Sequence, residues 1–240
     1  MAIPGINTSD ITNAKVTNRD GNYIRIGEHF VTVASCKLFD SSNGKGKVLA
    51  NSFIVKESAA RSYGIVSVSE RGQGIKEDSE ATPHRSGETV STVWTQGTDR
   101  DAQDRWNSNV KSLLAAVKGT LFNIIENASA AGEDVAEVRK FYTEVGWDLE
   151  TTSVSGIEVD RFLNATWDGA GALDIQKREQ MMDMFRGIPV KCVGTRIRIR
   201  DAKKKAADTL VDADIRTISS FFPCSKAELT KKNDALFGAE

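Results

Sequence analysis

The sequence predicts a mainly β protein with helical insertions, an α+β fold built on an antiparallel Greek-key barrel. Two early stretches are dominated by β-branched and aromatic residues and are joined by a turn of Ser, Asn, Gly and Lys. The spacing of apolar residues then changes to three and four in the middle of the chain, and returns to two near its end. Hydrophobic residues make up 40% of the 240 residues, which suffices for a core.

The first predicted element is a β-hairpin. Its strands are "YIRIGEHFVTVASCKLF" at 23–39 and "VLANSFIVKES" at 48–58, with "SSNGKGK" at 41–47 as the turn. Asn43-Gly44 supplies the positive φ that a hairpin loop requires.

A third strand follows a long loop. The segment 67–87 is rich in Gly, Ser and charged residues and predicts a loop insert. It contains "RGQG" but lacks the GxGxxG phosphate-binding fingerprint. The strand is "ETVSTVWTQ" at 88–96, in which Val90 and Thr92 face one way and Thr89, Ser91 and Val93 the other.

Three helical stretches are predicted next. The first has an apolar stripe and can end at Gly119; the stripe is Trp106, Val110, Leu113, Leu114 and Val117. The second, "GEDVAEVRKFYTEVGW", ends at Gly146, and the third, "ALDIQKREQMMDMFRG", ends at Gly187. We expect the apolar residues of the third to pack against the core; they are Met181, Met182, Met184 and Phe185.

Two strands close the predicted fold, "IPVKCVGTRIRIRD" at 188–201 and "DIRTISSFFP" at 214–223. About five strands with a helix after the third fit a barrel of the OB type. The predicted organisation is an N-terminal arm (1–21), a single OB-like domain (22–223) with a loop insert (67–87) and an acidic helical insert (127–186), and a C-terminal tail (224–240).

Charge is segregated along a chain whose net charge is only -1. Residues 186–205 carry eight basic side chains and one acid, a local charge of +7, so the rest of the chain carries -8. Residues 133–160 hold eight acids against Arg139 and Lys140, a local charge of -6. This segregation is the first indication of function, because a basic patch attracts anionic partners whatever the net charge.

Several function classes find no support. No apolar run approaches the roughly 20 residues that span a membrane, and the N-terminus lacks a secretion signal. The cysteines Cys36, Cys192 and Cys224 are far apart, and with His29 and His84 they show no metal-ligand spacing, so we expect reduced thiols, no metal and no cofactor. No nucleophile, zinc or P-loop motif occurs, and we expect a protein that is not an enzyme.

The most informative stretch is "GTRIRIRDAKKK" at 194–205. Strand residues two apart share a face, so Arg196, Arg198 and Arg200 project from one side, and Val193, Ile197 and Ile199 from the other. Two interpretations stay open. The arginines blunt a solvated edge strand, or, with Lys203, Lys204 and Lys205 in the following loop, they bind phosphates.

Single-stranded nucleic acid is usually held by a basic groove and by aromatic side chains that stack on bases. Candidate stacking residues are Trp94, Phe39 and Tyr23, each of which fits a core position equally well. Basic residues of the first hairpin can flank the same groove; these are Lys37, Lys45 and Lys47.

The first hairpin resembles that of single-stranded-DNA-binding proteins encoded by tailed bacteriophages. The matching stretches are "GEHFVTVASCKLFDSSNGKGKVLANSFIVKES", "GETVSTVW" at 87–94, "NVKSLLAAVKG" at 109–119, "RGIPVKCVGTRIRIRD" and "DIRTISSFFP". The resemblance covers roughly residues 22–222 in patches. It implies an OB-fold, sequence-tolerant binding of single-stranded DNA without catalysis, and a role in phage DNA replication or recombination in the cytoplasm of the infected host cell.

Two rival functions stay open. The first is a virion structural or assembly protein, such as a tail or decoration component, in which segregated charges dock like to unlike in a multimer. The second is a recombination or nuclease accessory that binds a protein partner through its acidic insert. Phage or host replication proteins are further expected partners, and the sequence allows a homo-oligomer.

Overall fold

A computed structural model describes most of the chain. The described residues are 24, 27–42, 44, 46–59, 66–67, 84–98, 100–144, 146–200 and 210–229. For residues 59, 66–67, 101, 195–200, 210–217 and 219 the backbone alone is described. Across these ranges the fold is an α+β arrangement of an antiparallel sheet and several helices, which confirms the predicted class.

Five antiparallel strands form the sheet in the order β6-β5-β1-β2-β4. They are β1 (Gly27–Asp40), β2 (Lys47–Ala59), β4 (Thr89–Thr95), β5 (Pro189–Arg200) and β6 (Leu210–Pro223). A two-residue strand, β3 (Val66–Ser67), pairs in parallel with β5. The predicted hairpin and the three later strands are therefore confirmed, and β6 begins four residues earlier than expected.

Alternation along the strands separates a core face from an outer face. The register sets Val33, Phe53 and Val90 side by side on β1, β2 and β4, and all three are buried. The predicted division of β4 is confirmed, because Val90 and Thr92 are buried while Thr89 and Val93 are exposed. This alternation therefore places the buried apolar side chains on one face of the sheet, which packs against the core.

The sheet curls strongly on itself. Phe221 of β6 packs edge-to-face against Trp94 of β4, with ring centroids 5.8 Å apart, although three strands separate β6 from β4 in the sheet order. In a flat sheet these strands would lie roughly 19 Å apart. Among the described residues β4 and β6 are not hydrogen-bonded to each other, so the sheet is open where a closed barrel had been expected.

Four helices lie between β4 and β5. They are α1 (Arg100–Ala130), α2 (Ala136–Glu144), α3 (Gly156–Thr166) and α4 (Ile175–Asp183). The stripe predicted for α1 is buried in the core. The expected end of this helix at Gly119 is wrong, since α1 continues for eleven more residues. A β-carbon at Gly119 would lie 2.9 Å from Cβ of Pro223, so glycine serves close packing there.

Helix α3 was not predicted. Ser155 caps its start and Glu158 bonds back to the Ser155 backbone, which completes a capping box. The carboxylate of Glu158 also pairs with Lys118 of α1, so the helical segment is fastened to the helix that packs on the sheet. Helices α2 and α4 confirm the two other predicted helical stretches, and Gly146 and Gly187 after them have positive φ.

The first residues of the predicted tail pack against the sheet. Cys224 and Leu229, at either end of a short helical turn, are buried against Phe30 of β1. The remaining tail residues, 230–240, and the arm, 1–21, lie outside the described residues. All three cysteines are buried free thiols, and burial raises the pKa of Cys36 to about 12.

Candidate nucleic-acid interface

The arginine-bearing part of β5 extends beyond the neighbouring strand β1. Within the described residues, the pairing of β1 with β5 reaches as far as Gly27 opposite Gly194. β5 pairs with β6 from Val190 to Arg200, and the described part of β3 pairs with it at Ile197 and Arg198. The structure places Arg196, Arg198 and Arg200 on β5, as predicted. We call the part of the β5–β6 pair beyond Gly194 the arginine arm. The side chains of its three β5 arginines are outside what the structure describes.

The register of this arm adds a further arginine. Arg196 of β5 lies directly opposite Arg216 of β6. Directly opposed residues of an antiparallel pair have β-carbons about 5 Å apart, and like charges there are destabilising. The arm therefore concentrates positive charge, and a bound anion would reduce the repulsion between these like charges. Arg216 was missed from the sequence because strand register is needed to find it.

Two of the eight basic residues in the stretch 186–205 are neutralised locally. The guanidinium of Arg186 donates hydrogen bonds to Glu179 at 2.5 Å and to Asp183 at 2.8 Å. The bond that Glu179 accepts is the main cause that raises the pKa of Arg186. Lys191 Nζ lies 3.1 Å from Glu228 Oε1. The six remaining basic residues all lie within 196–205, together with Asp201.

The lysines of the first hairpin differ in their surroundings. Lys37 is exposed on β1. Lys47 Nζ lies 3.0 Å from Asp40 Oδ1 and 3.5 Å from the centre of the Trp167 ring, so its charge is already engaged. Lys45 lies outside the described residues, as do Lys203, Lys204 and Lys205.

The predicted stacking residues also differ in burial. Trp94 is 4% exposed and packs on Phe221, so its ring belongs to the core. Phe39 is half-buried on β1, where part of its ring is accessible. Tyr23 lies outside the described residues.

The outer face of the three-stranded part β1-β2-β4 is small and polar. Ser35, Ser52 and Ser91 lie side by side across it, and the Ser35 and Ser52 hydroxyls are 2.7 Å apart. The next row toward the hairpin turn places Lys37 and Val93 on either side of Ala50. The serines are half-buried, and the exposed Lys37 contributes positive charge to this face. The serine row was missed because it depends on register.

A cleft of about 350 Å³ lies at the end of the sheet away from the hairpin turn at 41–46. Phe30, Lys191 and Phe222 form one cross-strand row in it, and three carboxylates also line it: Glu28, Glu57 and Glu228. Partial burial tends to raise the pKa of Glu228, but hydrogen bonds from Ser225 and Lys191 outweigh it and lower the pKa to about 2. At neutral pH Glu228 is therefore ionised, and it pairs with Lys191 within the cleft.

The two histidines meet at a serine that the sequence pattern did not connect with them. His29 Nδ1 lies 2.8 Å from Ser58 Oγ, which also accepts a hydrogen bond of 2.9 Å from the backbone N–H of His84. The rings are 5.2 Å apart and both residues are buried. This contact holds the segment before β4 against the first hairpin.

The described part of the chain contains no group of three or more His, Cys, Asp or Glu side chains arranged to hold a metal ion. Across the same residues, no helix combines the length and apolar character needed to cross a membrane. Comparisons with protein-family models, with curated proteins and with solved structures give no match.

Proposed function

We propose that this protein is a non-enzymatic, sequence-tolerant single-stranded-DNA-binding protein of phage type, acting in DNA replication or recombination in the cytoplasm of an infected cell. The observation that carries the proposal is the register of the β5–β6 arm, which sets Arg216 opposite Arg196 beside Arg198 and Arg200. Neutralising phosphates with such a cluster supplies most of the sequence-independent affinity for nucleic acid.

The strand connectivity supports an OB-type barrel as the scaffold. Three strands form a meander, a helix follows the third, and the next strand returns to pair with β1. OB-folds are partly open Greek-key barrels that bind oligonucleotides on one sheet face and on the loops after the first and fourth strands. Here those loops are residues 41–46 and the segment between β5 and β6. The edge-to-face packing of Trp94 on Phe221 agrees with this curvature.

The single strand would run from the arginine arm along the outer face of β1, β2 and β4. Lys37 lies on that face as a cation, and Phe39 is the half-buried ring available for stacking. Trp94 is excluded from this role by its burial.

The test is fluorescence anisotropy with a labelled single-stranded oligonucleotide at two salt concentrations, with duplex DNA as competitor. We expect tight, salt-sensitive binding that duplex fails to compete. The triple variant R196A/R198A/R200A should lower affinity at least tenfold and flatten the salt dependence.

A matched control removes three exposed cations elsewhere. Arg100, Arg105 and Lys140 are exposed on α1 and α2, and R100A/R105A/K140A changes the net charge by the same amount. It should bind like the unmodified protein. Absence of binding at low salt, or equal losses in the two triple variants, contradicts the proposed arm.

A further inference from the structure

The exposed side of helix α2 has the composition of a protein-binding surface. Val138 and Phe141 are 43% and 47% exposed, and α2 has no buried residue. Residues 137, 138, 141 and 144 fall on one helical face, where exposed Glu137 and Glu144 border the apolar pair along one edge. Glu144 also lies 3.8 Å from Lys140 Nζ. We call the face formed by Glu137, Val138, Phe141 and Glu144 the α2 face.

Side-chain hydrogen bonds on the opposite side of α2 attach this helix to neighbouring segments of the chain. Arg139 bonds Glu126 of α1 at 2.9 Å and Glu150 at 3.1 Å. The Tyr142 hydroxyl donates to the backbone carbonyl of Met184 at 3.4 Å. The α2 face is thus presented in a fixed orientation, which lowers the entropic cost of docking.

Charge complementarity within the chain identifies the occupant. Between residues 133 and 160 seven carboxylates are exposed, once buried Glu158 is set aside, and the same segment contains two cations, Arg139 and Lys140, so its surface charge is -5. The segment 196–205 carries six basic residues and Asp201, a charge of +5. Its alternating isoleucines, Ile197 and Ile199, supply apolar residues between the cations.

We infer that the α2 face of one copy binds the arginine arm of a second copy. An apolar pair rimmed by carboxylates fits a strand that alternates isoleucine and arginine. Each copy carries both surfaces, so the contact can be made twice in a reciprocal dimer or repeated from copy to copy. This inference does not depend on DNA binding, although both would use the arm, so single-stranded DNA should compete with self-association.

Sedimentation velocity of the full chain without DNA tests the inference. We expect the average sedimentation coefficient to rise with protein concentration at 50 mM salt and to return to the monomer value at 500 mM, because ion pairs at an interface are screened. The variant V138S/F141S should remain monomeric at both salt concentrations. The control I175S removes a still more exposed apolar side chain from α4 (Ile175, 68% exposed) and should associate like the unmodified protein.

A charge exchange makes the test specific to the two surfaces. E137K/E144K gives a copy in which the α2 face and the arm are both basic. R196E/R198E/R200E changes the charge of the segment 196–205 from +5 to -1 and gives a copy in which both are acidic. Each alone should be monomeric, whereas the 1:1 mixture should associate. A monomer at every concentration, unchanged association of V138S/F141S, or a mixture that stays monomeric would overturn the inference. A failure of the oligonucleotide titration would leave these outcomes untouched.

Discussion

Lys118 and Glu158 form an ion pair across two helices, with 2.7 Å between Nζ and Oε1, and both side chains are almost completely buried. Lys118 also donates to the backbone carbonyl of Ser153, and Glu158 accepts from the backbone N–H groups of Asp148 and Ser155. Buried charges cost several kcal/mol each unless they are paired and hydrogen-bonded. This pair is both, and it joins α3 to the helix that packs on the sheet.

Removing one member should be much worse than removing both. K118M and E158M should each lower the free energy of unfolding by about 3–5 kcal/mol, because each leaves an uncompensated buried charge. The double variant K118M/E158M should lose clearly less than the sum. Urea denaturation followed by far-UV circular dichroism measures all three, and additive losses would contradict a coupled pair.

The pH dependence of stability should carry a contribution from Glu158. Burial tends to raise the pKa of Glu158, but hydrogen bonds from Lys118 and Ser155 hold it below the ordinary value of 4.5. A carboxyl with a lowered folded-state pKa stabilises the protein above its unfolded-state pKa, and the stabilisation is lost as pH falls through the folded-state value. Below about pH 4.5 the unmodified protein should therefore lose stability more steeply than E158Q. Urea titrations between pH 7 and pH 3 compare the slopes, and equal slopes would exclude this contribution.

The local sequence pattern was enough to predict most of the helices and strands, because alternation and helical spacing are properties of neighbouring residues. The hairpin β1–β2, the division of β4 into two faces and the stripe of α1 all follow from such spacing. Helix α3 was missed because its apolar stripe is short, with Phe162 and Ala165 as its buried apolar residues. Its start was nevertheless encoded in "SGIE" at 155–158, a capping-box sequence.

What the sequence could not provide depends on register and on distant contacts. The pairing of Arg196 with Arg216 and the serine row across β1, β2 and β4 require knowledge of which residues lie opposite. The engagement of Lys47 by Trp167 joins residues 120 positions apart. The predicted stop at Gly119 failed for the same reason, since the approach of Pro223 is invisible in local sequence.

Gly119 should tolerate alanine poorly although it lies within a helix. Glycine-to-alanine changes in helices normally stabilise by about 0.4–1 kcal/mol. A β-carbon at this position would lie 2.9 Å from Cβ and 3.2 Å from Cγ of Pro223, so G119A should instead lower the melting temperature. The control is G156A at the start of α3, where a β-carbon meets nothing within 4 Å and the melting temperature should rise. Thermal unfolding distinguishes the two, and stabilisation by G119A would show that β6 yields without cost.

Lys37 and Lys47 should separate DNA binding from stability. Lys47 is engaged by Asp40 and by the Trp167 ring, and cation–π contacts at exposed sites contribute about 0.5–1 kcal/mol. K47A should therefore lower stability slightly and leave the salt dependence of oligonucleotide binding unchanged. K37A removes an exposed cation from the proposed path and should reduce the slope of log affinity against log salt by about 0.7, the value for one phosphate contact with a single strand. It should leave the unfolding midpoint unaltered.

Anisotropy titrations at four salt concentrations, together with urea denaturation, give both quantities for each variant. If K37A leaves the slope unchanged while the arginine triple variant lowers it, the strand binds the β5–β6 arm without crossing the outer face of β1.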